Sequence, residues 1–431
     1  MKHLVILGSV WPEPQSSAAG TRMCQLMDLF QDSGWSITFA SAALPSAHRI
    51  DLKARSVQEA EIALNSDEFE VWLAEQQPDA VLFDRFMTEE QFGWRVSRTC
   101  PDALRLLDTE DLHCLRAARW EIMKARSGGN AHTAIPVIDD RRALYERMVE
   151  LDITQRELAS IYRSDLSLMV SSFEVALLRE EFGVPAALLH TLPIFAKPTT
   201  SPGFEQRRHF ISIGNFRHAP NWDAVLWLKQ DLWPRIRASL PDAELHVVGA
   251  YPPPKATVLE NRREGFLIKG WVEDALATMA HSRVCLAPLR FGAGIKGKLL
   301  DAMATGTPSV TTAIGAEAMA SVDQWPGRVE NTSEAICEAA VNLYQNERAW
   351  RLAQAGAARV LTHGFSRERY QSAFAHQIRV LEEGLKAHRK ANFVGAMLRH
   401  HHHRSTQYMS QWIEAKTRLQ QHTSTEGIDR R

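Results

Sequence analysis

The sequence predicts an α/β protein built from two Rossmann-like, parallel-sheet domains facing each other across a cleft, followed by a basic helical tail. Three observations carry that expectation. Short apolar runs alternate with longer helical patterns through nearly the whole chain, as strand–helix–strand units around a parallel sheet require. A stretch rich in Pro, Thr, Ser, Gly and charge, FAKPTTSPGFEQRR, interrupts the alternation at 195–208, and the pattern then restarts. Beyond about residue 375 the composition turns basic.

In the first half, the apolar runs HLVILG (3–8), SITFAS (36–41), DAVLFD (79–84), LRLLD (104–108), LSLMVS (166–171) and AALLH (186–190) read as strands. Helices are expected over 19–33, where Met23, Leu26, Met27 and Phe30 share a face, and over 67–76, 89–99, 141–163 and 173–182. After the linker come HFISIG (209–214), ELHVVG (244–249), FLIKG (266–270), VCLAPL (284–289) and PSVTT (308–312). The division is a domain over 1–195, a linker over 196–208, a second domain over 209–375 and a tail over 376–431. Two domains also suit 431 residues, more than one core usually serves. Ligands of such sheets bind beyond the carboxyl ends of the strands, so the cleft is the expected site.

Bulk properties exclude several classes. With 45% hydrophobic and 23% charged residues and a net charge of -1, the chain has no overall attraction for nucleic acid. Five scattered cysteines without a C-x-x-C pair argue for reduced thiols rather than a disulfide framework or zinc site. The N-terminal MKHLVILGSVWPEP is too short in apolar length for a signal peptide, and no run suffices to span a bilayer. A cytoplasmic protein is expected, peripheral to the inner membrane face at most. From Lys386 onward nine Lys/Arg stand against three acids, a difference of +6, which leaves -7 for the remainder. The four consecutive histidines at 400–403 cannot converge on one ion from a helix, so they read as part of a basic face with a possible lipid or polyanionic partner.

The chemistry concentrates in GAGIKGKL. Gly292 to Lys298 satisfies G-x-x-x-x-G-K, but Leu299 stands where a P-loop has the Ser or Thr that ligates magnesium. The phosphate-binding physics survives without the metal. Gly292, Gly294 and Gly297 admit a ligand close to the backbone, a helix starting near Lys296 offers its N-terminal dipole, and Lys296 and Lys298 add positive charge. Asp301 falls on the same helix face as Lys298, and Leu299, Leu300 and Met303 face the core. A diphosphate at the loop with a sugar hydroxyl at Asp301 is the inference.

The continuous stretch GAGIKGKLLDAMATGTPSVTTAIGAE resembles the donor-binding region of GT-B glycosyltransferases, particularly glycosyltransferase family 4. FISIGNFRHAPNWDAVLWLKQDLWPRIRASLPDAELHVVG is similar to the opening of the same domain. SAAGTRMCQLMDLFQDSGWSITFAS and DLSLMVSSFEVALLREEFGVP resemble, more weakly, parts of the acceptor-side domain. The resemblance implies a retaining, metal-independent glycosyltransferase that moves a sugar from a nucleotide-diphosphate sugar to a glycan or lipid-linked hydroxyl acceptor, in cell-surface polysaccharide biosynthesis, with no cofactor and no metal. Asp301 matches the second acidic residue of the family's E-x7-E motif. Ala293 stands at the first, and Asn215 and Pro220 stand where the family has Arg and Lys.

The same resemblance implies catalytic roles for His113, Lys298 and Lys296. His113 lies in RLLDTEDLHCLRAAR, where Asp108, Glu110 and Asp111 also offer a three-carboxylate metal reading. Donor contacts are implied for Gly292, Gly294, Gly297, Asp301, Arg217, Trp271, Val272 and Glu317, and an acceptor-side loop role for Gly20. A degenerate nucleotide-sugar-binding scaffold and a nucleotide-sugar epimerase remain as alternatives.

Overall fold

The computed structural model describes residues 1–126 and 140–426, with the side chains of 401–404 and 418–426 left out. Apolar runs form two parallel sheets. The first contains β1 (Lys2–Gly8), β2 (Trp35–Ser41), β3 (Gln58–Glu61), β4 (Ala80–Asp84), β5 (Leu104–Asp108), β6 (Leu166–Met169) and β7 (Leu189–Thr191), ordered β3-β2-β1-β4-β5-β6-β7. The second contains β8 (Arg208–Ile213), β9 (Leu245–Val248), β10 (Phe266–Gly270), β11 (Ser282–Ala287), β12 (Ser309–Thr311) and β13 (Gly327–Val329), ordered β10-β9-β8-β11-β12-β13. Every pairing within them is parallel, β1 meeting β4 from Leu4↔Ala80 to Leu7↔Phe83 and β8 meeting β11 at Phe210↔Val284. The order reverses between β1 and β4 and between β8 and β11. Each reversal opens a crevice at the carboxyl ends, where ligands bind in such sheets.

The central strands are buried on both faces, so they read as unbroken apolar runs. Leu4 and Ile6 pack with Met27, Phe30 and Leu82 on one side of the first sheet, Val5 and Leu7 with Phe83, Leu107 and Leu177 on the other. The second sheet is covered by a cluster that includes Phe210, Trp233, Leu245 and Leu343. Within the linker, Arg207 is buried and donates to Thr307 Oγ1 at 2.6 Å, Thr305 O at 2.6 Å and Pro202 O at 2.8 Å.

Two sequence expectations need correction, and two features were not anticipated. The helix expected over 141–163 is two, Arg141–Met148 and Asp152–Arg163, because Leu151 is extended (φ -96°, ψ 129°). In AALLH the first three residues form a 3-10 turn, and the strand is Leu189–Thr191. β3 and β13 are short edge strands whose polar or glycine-containing sequences carry no apolar run. The segment after β5 continues as a helix, His113–Arg126, that the sequence reading did not anticipate.

The chain end returns to the first domain. Helix Arg367–Ala391 lays Phe374, Ile378 and Leu381 into the cluster of Leu4 and Phe30, and Phe374 meets Phe30 edge-on at 5.4 Å. Arg389 binds Asp165 at 2.7 Å and Ala103 O at 2.7 Å. Helix Phe393–Glu426 then runs along helices Phe86–Thr99 and Asp152–Arg163. The expectation of a solvated tail is thus revised for these residues, although the side chains of His401, His402 and His403 lie outside the described part. Phe374→Ala should destabilise the chain by about 3–5 kcal/mol, read as a lower midpoint in urea unfolding. An unchanged midpoint would mean that this helix does not belong to the first domain's cooperative unit.

Candidate active site

The loop that follows β11 leads through Gly292 and Gly294 into helix Gly297–Ala304. It lies at the reversal point of the second sheet, beside the end of β8. Leu299, Leu300 and Met303 are buried as expected and anchor the helix in the core. Lys298 is thereby aimed at the end of β8, where its ammonium donates to Asn221 Oδ1 at 2.6 Å. A Cβ on Gly214, just after β8, would lie 2.7 Å from that ammonium, so the approach requires glycine there. Burial pushes the Lys298 pKa down to about 8.

Asp301 lies one turn further along the helix. Burial raises its pKa to about 7. Its carboxylate has no hydrogen-bond or ion-pair partner among the described residues, and the residue is partly exposed. A half-buried carboxyl without a donor, three residues from an ammonium whose acceptor is a neutral amide, is poised for an external hydroxyl.

The opposite domain grips this loop. Gly294 has φ +64°, and a Cβ there would meet Asp111 Cβ at 2.8 Å, so a side chain is excluded by both backbone and neighbour. Glu174 Oε1 accepts from Gly294 N at 2.7 Å and from Leu112 N at 3.1 Å, tying the two loops together. Arg119, buried in helix His113–Arg126, donates to Gly292 O at 2.7 Å and pairs with Glu317 at 2.5 Å. Ala293 is turned into the first domain's apolar cluster, with only 7% of its surface exposed.

Two of the expected ligand contacts are therefore engaged internally. Both oxygens of Glu317 accept from Arg119. Lys296 is buried and donates to Gly294 O at 2.7 Å, and burial lowers its pKa against the opposing charge of Glu317. Gly297 opens the helix against Ala18, whose Cβ would lie 2.5 Å from a Cβ at 297. Gly20 is packed in the same way: the backbone of Glu13 fills the space beside it, and its amide donates to Ser17 Oγ at 3.1 Å. Its observed contacts are thus with its own loop.

His113 starts a helix whose first amides are capped by Glu157, which accepts from His113 N at 3.0 Å and Cys114 N at 2.8 Å. Its ring meets Phe86 edge-on at 5.5 Å, and Nε2 lies 3.5 Å from Asp111 Oδ1. Burial lowers its pKa to about 4, so the imidazole is neutral at pH 7. Burial would raise the Asp111 pKa, but Arg116, His113 and His218 outweigh it and hold the carboxylate at about 2. Arg116 pairs with Asp111 and reaches His218 of the second domain at 3.3 Å. Both Lys298 and His113 act electrostatically on His218, so the two sides of the cleft converge there.

The three-carboxylate metal reading does not hold. Asp108 is bound by Arg22 at 2.9 Å, Asp111 is paired with Arg116, and Glu110 is pushed up to about 8 by burial. Among the described residues one group, His209, Glu244 and His246, brings three ligand atoms within 4.8 Å of one another. It sits at the amino ends of β8 and β9, away from the cleft. His209 Nδ1 accepts from Glu244 N at 3.2 Å, which leaves the proton on Nε2, where a metal would need a lone pair.

The remaining donor-contact candidates are Trp271, Arg217 and Val272. Trp271 stacks on His48 of the first domain at 4.7 Å. Arg217 lies 3.6 Å over the ring of Tyr251, whose hydroxyl donates to Glu13 at 2.8 Å. Val272 packs beneath, beside Met279 and Ala302.

Two doubly wound domains that meet across such a cleft define the GT-B class. Similar solved structures include sucrose-phosphate synthase from Thermosynechococcus elongatus, at 14% identity over 90% of this chain and 100% of that one, TM-score 0.59. HepE from Anabaena, solved with UDP and glucose, is 12% identical over 88% and 100%, TM-score 0.62. TarM from S. aureus, solved with fondaparinux, α-GlcNAc-glycerol and UDP, is 8% identical over 89% and 100%, TM-score 0.63. Residues 207–346, most of the second domain, match the family described as glycosyl transferases group 1. No curated protein matches the chain.

The latch formed by Glu174 yields a signed expectation. Burial keeps its proton on up to about pH 8 in the folded chain, whereas an unfolded glutamate loses it in the ordinary carboxylate range. Folded protein therefore holds an extra proton between those limits, and stability falls as pH rises across them. Glu174→Gln should match the parent in urea unfolding near about pH 4 and exceed it by a margin that grows up to about pH 8. Equal pH dependence in both would remove the buried proton.

Proposed function

We propose that the chain is a glycosyltransferase that moves a sugar from a nucleotide-diphosphate sugar to a hydroxyl acceptor. The supporting observation is the juxtaposition of Lys298 and the unpartnered carboxylate of Asp301 on a glycine-rich helix start at the reversal point of the second sheet. Helix-terminal amides and Lys298 would hold the diphosphate. Asp301 would accept from a ribose hydroxyl. The bond from the anomeric carbon to the diphosphate breaks, a bond to the acceptor oxygen forms, and the acceptor proton passes to the departing diphosphate. Negative charge grows on the diphosphate, so Lys298 stabilises the transition state more than the ground state.

His113 faces that position from the first domain. Neutral at pH 7, it hydrogen-bonds to the transferring sugar or the acceptor rather than carrying charge. The reaction retains anomeric configuration and uses no metal. The acceptor is a growing cell-surface glycan or its lipid-linked precursor, reached from the cytoplasm. HepE and TarM, of the same fold, were each solved with UDP, which makes UDP the first probe to use.

A second reading, a nucleotide-sugar-binding scaffold, is favoured by Ala293, whose side chain lies in the first domain's core instead of on the donor loop. A thermal-shift screen of nucleotide sugars followed by product analysis separates the readings. Transfer to an acceptor supports the enzyme, binding without turnover the scaffold, and isomerised donor without acceptor an epimerase.

Lys298→Ala should lower turnover at least tenfold, about 1.4 kcal/mol, and unchanged kinetics would take Lys298 out of the site. The protonated ammonium binds the diphosphate, and the bound anion raises the lowered pKa again. Affinity for UDP should accordingly fall as pH rises through about 8. Calorimetry between about pH 7 and 9.5 tests this, and Lys298→Met should flatten the decline.

A further inference from the structure

Helix Phe393–Glu426 is amphipathic in reverse. The side that faces the protein is polar. Asn392, just ahead of it, donates to Tyr162 O at 2.7 Å, and Arg399 to Arg163 O at 3.1 Å. Ser410 is 3% exposed and accepts from Arg95 at 2.9 Å, and Glu414 pairs with the same guanidinium. Four large apolar side chains among the described residues point away from the body. Phe393 is 74% exposed, Met397 46%, Tyr408 63% and Trp412 61%. At 3.6 residues per turn these four fall within a stripe roughly 100° wide.

An ordinary surface helix buries its apolar stripe in its own core, so among the described residues this face lacks a partner. We propose that it is a docking surface for an anionic lipid bilayer. Charge selects that occupant. The segment 386–431 carries +6 in a chain whose remainder carries -7, so the body is repelled by an anionic surface and only the tail is drawn to it. Two copies of the chain meeting on this face would bring two such positive segments together. Composition agrees: Phe, Tyr, Trp and Met beside Lys416, whose ammonium lies 5.2 Å from the Trp412 ring, suit the headgroup boundary. The helix lies on the surface rather than crossing it, since no described helix is long and apolar enough to span a bilayer. Its polar side stays bonded to the first domain.

This surface is independent of the proposed transfer reaction, and its test needs no turnover. Full-length protein is sedimented with vesicles of phosphatidylcholine alone or mixed with phosphatidylglycerol, at low and high salt. The expected result is binding to the mixed vesicles only, weakened by salt. The triple variant Phe393→Ser/Tyr408→Ser/Trp412→Ser should lower the partition coefficient at least tenfold with an unchanged melting temperature, because those side chains are exposed. Lys416→Glu should weaken binding to the mixed vesicles while leaving the aromatic face intact. Equal binding to neutral vesicles, or no binding to either, overturns the proposal. So does lipid-free dimerisation in light scattering that the triple variant abolishes, since the occupant would then be a second copy.

Discussion

The guanidinium of Arg119 is the point on which the cleft turns. It is carried by the first domain, yet its partners, Gly292 O and both oxygens of Glu317, belong to the second. Beside it Glu174 bonds the Gly294 amide from the same side. Buried ion pairs repay their desolvation only in part, so their net gift to stability is small, whereas loss of one partner leaves a stranded charge. What they provide here is geometry. The loop after β11 is shaped by the domain it faces, and Gly294 packs so closely on Asp111 that the two halves meet in one register.

That grip explains how the site's positive charge is arranged. Lys296 and Arg119 are turned inward and engaged with the loop and with Glu317. Lys298 alone of the loop's two lysines leans toward the end of β8, where its acceptor is the neutral amide oxygen of Asn221 and not a carboxylate. A buried ammonium without a counterion has a lowered pKa and gains most when an anion arrives. Asp301 is its mirror image, a carboxylate raised by burial and lacking a donor. On the proposed function a nucleotide diphosphate would supply what each lacks: phosphate for one, hydroxyls for the other.

The fold was largely legible because its strands are buried on both faces, so β1, β4, β5, β8 and β11 appear as apolar runs in the sequence. β3, with its QEAE, escaped because an edge strand needs no apolar side chain. The site was legible only where its residues are local: the glycines, Lys298 and Asp301 stand within ten residues of one another. Arg119 and Glu174 were missed because their partners lie 173 and 120 residues away. Glu174 did carry one local signal, the S-x-x-E spacing from Ser171 that marks a helix start. Ser171 indeed caps that helix, but the glutamate's carboxylate has left the reciprocal bond to hold two loops instead. The helix starting at His113 was hidden because its cap, Glu157, comes from 44 residues downstream.

The tail's position gives the cleft a direction. Helix Arg367–Ala391 carries the chain from the second domain to the core of the first, so the outward aromatic face that follows belongs to the first domain. It leans on helix Phe86–Thr99 through Arg95, and the first residue of that same helix, Phe86, packs edge-on against His113. Nine residues of helix separate the two, about 14 Å at 1.5 Å per residue. A rigid helix thus joins the protein-facing side of the tail helix to His113, with the aromatic face on the far side of the tail. On that proposal a bilayer would lie beyond the tail helix, a further helix diameter of about 10 Å from Arg95, on the same domain that carries His113.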